Sequence, residues 1–564
     1  MSILFKPNGS LDISTAATDL PAEAADNSVI SGAMQRCKNL VLDRVGIAKT
    51  RHGSVRTSAL SDTTNLIIEQ GGVRFSFAST NIYRDEVVIA SGMTDADWSG
   101  IKYNSFNDTT QRIFALNGTD RKKINGSTVD EWGITPPAAA PTVAVGASTG
   151  LTGAYLVKIT YAVKSGSTVI TESNPSDASA SQSLTNQSLS VSWTASPDSQ
   201  VTHVRVYRTL AGGGIYYHDQ DVAVGTLTVD TNTADASLGA EAPDDHDRPP
   251  LGTLVIGPIF NGVCFIVNGN LLYFCKAKQP EYWPTNNYIE VGPPQFPILA
   301  MTILDGQLYC LTKSQIWYIS GSSTGSFVPL PVESLCGAPH KFGALSVKGA
   351  GIYHIGPDGI YLYSGGRDRK ISQDAFEPIF PDAGGNNGTE TNGVQPVPSV
   401  TTSLWLHQFQ NRIYFHYSNG NVLVSDLDTK RSWYYKYDLQ LYSPCTDNTN
   451  DSFLVGDSAK YIRTIEDPDS TDDAGTDISW EVQSMDYTLQ TRRHFPRWAK
   501  YDVNVDDATS VTGEIILDDV VHQQHSITTS RDVTRRLIKT GNAKRCSIRL
   551  KGSEQVKIYA IEAE

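Results

Sequence analysis

The sequence predicts an all-β chain: a β-propeller with an inserted immunoglobulin/fibronectin III-like sandwich and a C-terminal β domain. A two-strand pattern returns at a fixed interval, with "NGNLLYFC" (268–275), "SQIWYI" (314–319) and "DGIYLY" (358–363) placing Leu272, Ile316 and Ile360 44 residues apart. Paired apolar strands joined by Gly, Asn or Asp turns, repeating about every 40–45 residues, are how four-stranded propeller blades read. The composition agrees: 25 Tyr, 17 Phe and 9 Trp against 5 Met, with 46 Gly and 27 Pro, suits short strands and many turns. No long stretch keeps helical spacing.

Residues 1–65 are rich in small polar side chains ("DISTAATDLPAEAADNS") and bury little of themselves, so they are expected to be an extended segment docked on another domain or subunit. Short strands in 66–134 ("DEVVIASG", "GIKYN", "QRIFALNG") start the propeller. "TPPAAAPT" (135–142) and "DDHDRPP" (244–250) bracket the inserted module, 135–250. Within it Tyr155, Val157, Ile159, Tyr161 and Val163 alternate, "SLSVSW" ends at Trp193, and "VTHVRVYRT" (201–209) alternates again. Residues 251–466 carry the remaining blades. A fourth copy, "NRIYFHYSNGNVLVSDL" (411–427), is displaced by 17 residues, the length of the Gly/Asn/Pro-rich stretch 382–398, and "SFLVGDSAKYIRTI" (452–465) is a fifth, weaker copy. After the acidic "DPDSTDDAGTD" (467–477), residues 467–564 read as a C-terminal β domain or as strands that close the propeller.

Asp and Glu (60) outnumber Lys and Arg (46), a formal net charge of −14, which disfavours broad basic surfaces for nucleic-acid phosphates. The runs "RKK" (121–123) and "RR" (492–493) read as exposed turn charges. Seven cysteines form no Cys-x-x-Cys pair; Cys264, Cys275 and Cys310 sit in apolar strands, as buried free thiols of a protein made in a reducing cytoplasm do. The N-terminus has no signal-peptide pattern. Residues 251–275 carry no charge, but their Gly-Pro, Asn-Gly and Asn-Gly-Asn turns suit hairpins rather than a membrane span.

The chemical constellations are weak. Asp467, Asp469, Asp472, Asp473 and Asp477 offer oxygen ligands to calcium but lack the EF-hand order, so a solvated linker is expected and no metal or cofactor is assigned. A propeller glycosidase would need a carboxylate pair and arginines. Asp358, Arg367, Asp368, Arg369, Asp426, Asp428 and Arg431 lie near blade turns, yet the Ser-x-Asp-x-Gly-x-Thr-Trp repeat of sialidases is absent. No nucleophile elbow, P-loop, zinc-protease helix or dinucleotide fingerprint occurs, and the eleven His show no ligand spacing, so no catalytic residue is expected.

The order of pieces resembles the tail nozzle family (tail tubular protein B, or tail hub) of short-tailed bacteriophages. The resemblance rests on "GIAKTRHGSVRTS" (46–58), "ESNPS" (172–176), "VTHVRVYRTLAGGGIYY" (201–217), "LLYFCKAKQPEYWP" (271–284) and "YSNGNVLVSDLDTKRSWYY" (417–435). It implies a structural protein of the virion tail, made in the host cytoplasm. The family forms a homo-hexameric ring below the adaptor and portal, beside which tail fibres attach and through which double-stranded DNA leaves. A nozzle also needs a closure. The insertion 382–398 fits one by composition, with Asp382, Gly384, Asn386, Asn387 and Glu390 as candidate gate residues and no large apolar side chain to anchor them. The other readings are a receptor-binding tail adhesin and a glycan hydrolase.

Overall fold

The computed structural model describes residues 2–5, 11–12, 23–25, 28–31, 34–42, 47–104, 110–252, 255–382, 386–398, 404–488, 496–505, 511–528, 531–532, 534–539, 541, 543–553 and 555–563. Its regular structure is strand, with three single-turn 3₁₀ segments among the described residues. Seven antiparallel four-stranded units are the propeller blades, in chain order 64–90, 99–131, 255–290, 298–331, 344–370, 405–436 and 441–467; the sixth is part of a ten-stranded sheet, and the last takes its fourth strand from Gly53–Ala59. The periodic residues Leu272, Ile316 and Ile360 all fall in third strands, Leu271–Phe274, Ile316–Ser320 and Ile360–Tyr363. The blade pairs Asn268↔Leu271 and Ser418↔Asn421 close tight turns on Gly269 and Gly420, whose φ values of 64° and 75° favour glycine.

The chain divides into two compact units, one of 1–88, 311–316 and 332–564, the other of 89–310 and 317–331. In the second unit, Phe114, Trp132, Phe260, Phe265, Phe274, Trp283 and Phe327 form an aromatic core beneath its blades. The uncharged stretch 251–275 carries the strands Val255–Ile256, Phe265–Asn268 and Leu271–Phe274, and among the described residues no helix is long and apolar enough to cross a membrane. Contrary to the expectation of exposed turn charges, residues 121–123 lie in the strand Arg121–Asn125, and Lys123 is buried 3.0 Å from both oxygens of Glu281. Burying that ammonium is tolerable because Gln200 Oε1 also accepts from it at 2.7 Å. Arg492 and Arg493 lie outside the described residues.

The inserted module has its own core, built from Tyr155, Val157, Ile159, Tyr161, Val191, Trp193, Val204 and Val206. Its central sheet runs Thr168–Glu172, Val157–Ser165, His203–Thr209, Tyr216–Ala223. Beyond Glu172 the chain leaves the ladder, and a serine at every third position replaces it. The amides of Ser173, Ser176 and Ser179 donate to the carbonyls of Tyr161, Ile159 and Val157. The amides of those same three residues donate back to the serine hydroxyls at 3.0, 3.1 and 2.9 Å. A spacing of three matches an extended polyproline-type turn, so each serine presents both groups to the strand edge.

In the first unit the described strands of residues 1–65 pair into the sheets of other parts of the chain. Met34–Lys38 joins the sixth blade to the C-terminal strands, pairing with Ser432–Lys436 on one side and Trp480–Ser484 on the other. Ser2–Phe5 and Ala48–Thr50 pair with Val556–Ala563. The strand Gly53–Ala59 closes the seventh blade against Tyr461–Asp467, so residues 467–564 do not supply the closure. The C-terminal strands form two sheets that share one core with the fifth to seventh blades, including Trp405, Trp433, Trp480, Tyr501, Ile548 and Ile558. Arg51 locks the junction: its guanidinium is wholly buried, bonded to Asn39 Oδ1 at 3.1 Å and both oxygens of Asp473, and stacked on Tyr437.

Candidate functional site

The insertion 382–398 leaves the fifth blade after Phe380. Its first half is exposed. Asp382 holds Asn386 through both carboxylate oxygens, accepting from the backbone amide at 2.9 Å and the side-chain amide at 2.7 Å. Asn386, Asn387 and Glu390 are exposed, and Gly384 lies outside the described residues. The second half is anchored, which corrects the expectation of a loop free of apolar attachment. Val394 and Val397 are 2% and 4% exposed in the core shared with the sixth blade. The Val397 amide donates to Ile379 O at 2.7 Å, and Tyr417 Oη donates to Gln395 O at 2.9 Å. Thr389 N also donates to Pro378 O at 2.8 Å, so the backbone is tied to the blade from that residue onward.

The charged residues weighed for glycan hydrolysis are spread over separate turns. Asp358 accepts from Tyr361 Oη at 2.7 Å and pairs with Lys370 at 3.2 Å. Asp426 caps the turn at 428–429, accepting from the amides of Asp428 and Thr429 at 3.0 and 2.8 Å. Lys430 N donates to Asp426 O, and Asp426 N donates to Arg431 O. Arg367 is an exposed surface cation 3.7 Å from the equally exposed Glu333, and Arg369 begins the short edge strand Arg369–Lys370. The acidic stretch 467–477 is not a solvated linker. Asp473 is buried against Arg51 and Ser54, Asp472 accepts from Gly475 N at 2.6 Å, and Asp467 accepts from Asp469 N at 3.0 Å. Asp473 thus has a fixed cation partner within the chain, which removes it from a calcium set.

Asp368 is placed otherwise. It is 3% exposed in the turn before Arg369–Lys370, with one oxygen accepting from Leu335 N at 2.7 Å and the other 3.3 Å from His354 Nε2. His354, on the strand Gly351–Ile355, is wholly buried, and Cys336 Sγ lies 3.8 Å from its Nδ1. Burial, with Asp368 and Asp358 adding to it, pushes the Cys336 thiol well above its ordinary pKa. Spacing in the sequence gave no sign of this trio, because its members come from three different segments of one blade and its entry.

No family model matches the chain, and no curated protein matches it. Among solved structures it is similar to the computationally designed Ika8 protein (10% identity, TM-score 0.35, covering 74% of this chain and 99% of that one). It is also similar to BamB from Moraxella catarrhalis (9% identity, TM-score 0.32, covering 75% of this chain and 98% of that one).

Proposed function

We propose that this chain is a structural protein of a phage tail, a homo-hexameric nozzle that conducts and gates the genome below the adaptor and portal, and not an enzyme. The observation that carries this reading is spatial. Three segments behind the family resemblance, far apart in sequence, meet at one junction in the second unit. Glu172 of "ESNPS" is buried, accepts from Tyr207 Oη at 2.6 Å and Arg205 at 2.5 Å, and its amide donates to Tyr282 Oη at 2.9 Å. Arg205 and Tyr207 belong to "VTHVRVYRT", and Tyr282 belongs to "KAKQPEYWP", whose Trp283 packs on Trp132 at 5.6 Å. The other two segments meet in the first unit, where the Arg51 guanidinium lies 5.6 Å from the centre of the Tyr435 ring. A set of residues that joins an inserted sandwich to a propeller suits a rigid scaffold whose modules must not shear.

The charge suits a conduit. Six chains of −14 each repel phosphate, over about 8–10 Å at physiological ionic strength, so DNA slides past without sticking. Gating falls to the exposed residues Asp382, Asn386, Asn387 and Glu390, of which Asp382 and Glu390 supply negative charge.

Three experiments separate this from the adhesin and hydrolase readings. Purified chain should neither compete with phage for adsorption to host cells nor release sugar from host surface polysaccharide; competition favours the adhesin and sugar release the hydrolase. Asp382→Ala should release the tip while leaving Val394 and Val397 seated, giving assembled virions that retain less DNA. Full genome retention in that variant places the gate elsewhere.

A further inference from the structure

The trio Cys336, His354 and Asp368 holds two buried acceptors face to face. His354 Nδ1 is 2.8 Å from the Gly337 carbonyl, which only accepts, so the ring proton sits on Nδ1. That leaves Nε2 a bare lone pair in the neutral ring. It points at Asp368 Oδ2 from 3.3 Å, and both atoms are buried with no hydrogen-bond partner. Two lone pairs do not face each other in a dry interior unless something electropositive lies between them. A proton is one candidate, but a charge-assisted N–H···O bond closes to about 2.7–2.9 Å. With metal–N and metal–O bonds of about 2.0–2.2 Å, the edge of a tetrahedral zinc site spans about 3.3–3.5 Å, which the observed separation meets.

The third group supports the metal. Cys336 is 4% exposed, and one ligand atom from each of the three residues lies within 4.8 Å of the others. The Cys336 sulfur stands 3.8 Å from His354 Nδ1, so coordination at Nε2 requires the thiol to swing around the ring edge towards Asp368. Space is kept for it at Gly356, where a Cβ would stand 2.7 Å from Cys336 Sγ and 2.5 Å from the Tyr361 ring. Tyr361 covers the imidazole, its ring 5.6 Å from that of His354 at 27°. One nitrogen, one sulfur and one oxygen form a borderline-soft set, suited to zinc rather than magnesium or calcium.

We infer that Cys336, His354 and Asp368 bind one zinc ion, a structural site that pins the segment Leu335–Gly337 to the fifth blade. The enclosure of all three residues gives a substrate no way in, so the ion's role is to hold the chain, with a water as fourth ligand. The site is independent of the nozzle reading, since it concerns one blade of one chain.

The test is metal content of the full-length protein. After expression in zinc-supplemented medium and dialysis, elemental analysis should find about one zinc per chain, and a strong chelator should lower the unfolding temperature. Cys336→Ser and His354→Gln should each lose the ion. Should those variants fail to fold, cobalt(II) exchange into the wild-type protein still decides: a thiolate-to-cobalt charge-transfer band is expected. Wild-type protein that holds no zinc and takes up neither zinc nor cobalt overturns the inference, leaving a proton between His354 and Asp368. Zinc retained in full by folded variants overturns it too, by placing the ion elsewhere.

Discussion

Single residues decide how backbone groups are satisfied where the ladders stop. Ser176 is buried, and its hydroxyl is the acceptor for Ile159 N. Ser176→Ala removes that acceptor and leaves a buried amide unpaired, so a loss of about 1–3 kcal/mol is expected in chemical denaturation of the sandwich. Ser176→Thr, which keeps the hydroxyl, should recover part of it. His407 shows the other side of burial. Its ring lies on Phe453 with centroids 4.9 Å apart and bonds Thr446 Oγ1 at 2.8 Å, and desolvation lowers its pKa to about 4 from the ordinary 6.5. Between those values the unfolded chain binds a proton that the folded chain refuses. The stability this residue contributes is therefore full above pH 6.5 and is lost as the pH falls towards 4. His407→Gln should flatten the dependence of unfolding temperature on pH in that window, and an unchanged slope would show that other groups set it. Neither position was legible in the sequence: a serine every three residues reads as a polar loop until the strand beside it is known, and His407 is one of eleven scattered histidines.

At the scale of elements, the repeat was the clearest signal because third strands recur at the same depth of successive blades, and Leu272, Ile316 and Ile360 must each meet a similar core. The offset before the sixth blade was legible as an insertion for the same reason. Its anchoring was not, since Val394 and Val397 stand among Gly, Asn and Pro and nothing local distinguishes a buried valine from a loop valine. The closing strand was hidden for another reason. Gly53–Ala59 ("GSVRTSA") has one large apolar residue, Val55, and that side chain is 47% exposed, so its place is set by backbone pairing with Tyr461–Asp467 rather than by pattern. Removing residues 1–59 should therefore expose the edge of the last blade and free Asp473 of Arg51. Aggregation of the truncated chain, seen by light scattering, is the expected outcome. A soluble, cooperatively folding truncation would show that the seventh blade closes by other means.

For the whole molecule, composition excluded more than it specified. A charge of −14 and a Tyr- and Gly-rich chain fitted many β scaffolds, and the tail reading came from the order of modules and from five sequence segments. The structure adds that three of those segments converge on Glu172 and Tyr282, and that Arg51 of a fourth lies against Tyr435 of the fifth. It follows that the joints, and not an active-site cleft, are where substitutions such as Glu172→Ala should do most harm. Reconstruction of the virion tail by electron microscopy tests the central claim most directly. The account predicts six copies of this fold around a central channel at the end of the tail away from the capsid. Finding the chain outside the channel wall, as trimeric or single spikes at the periphery, would contradict it.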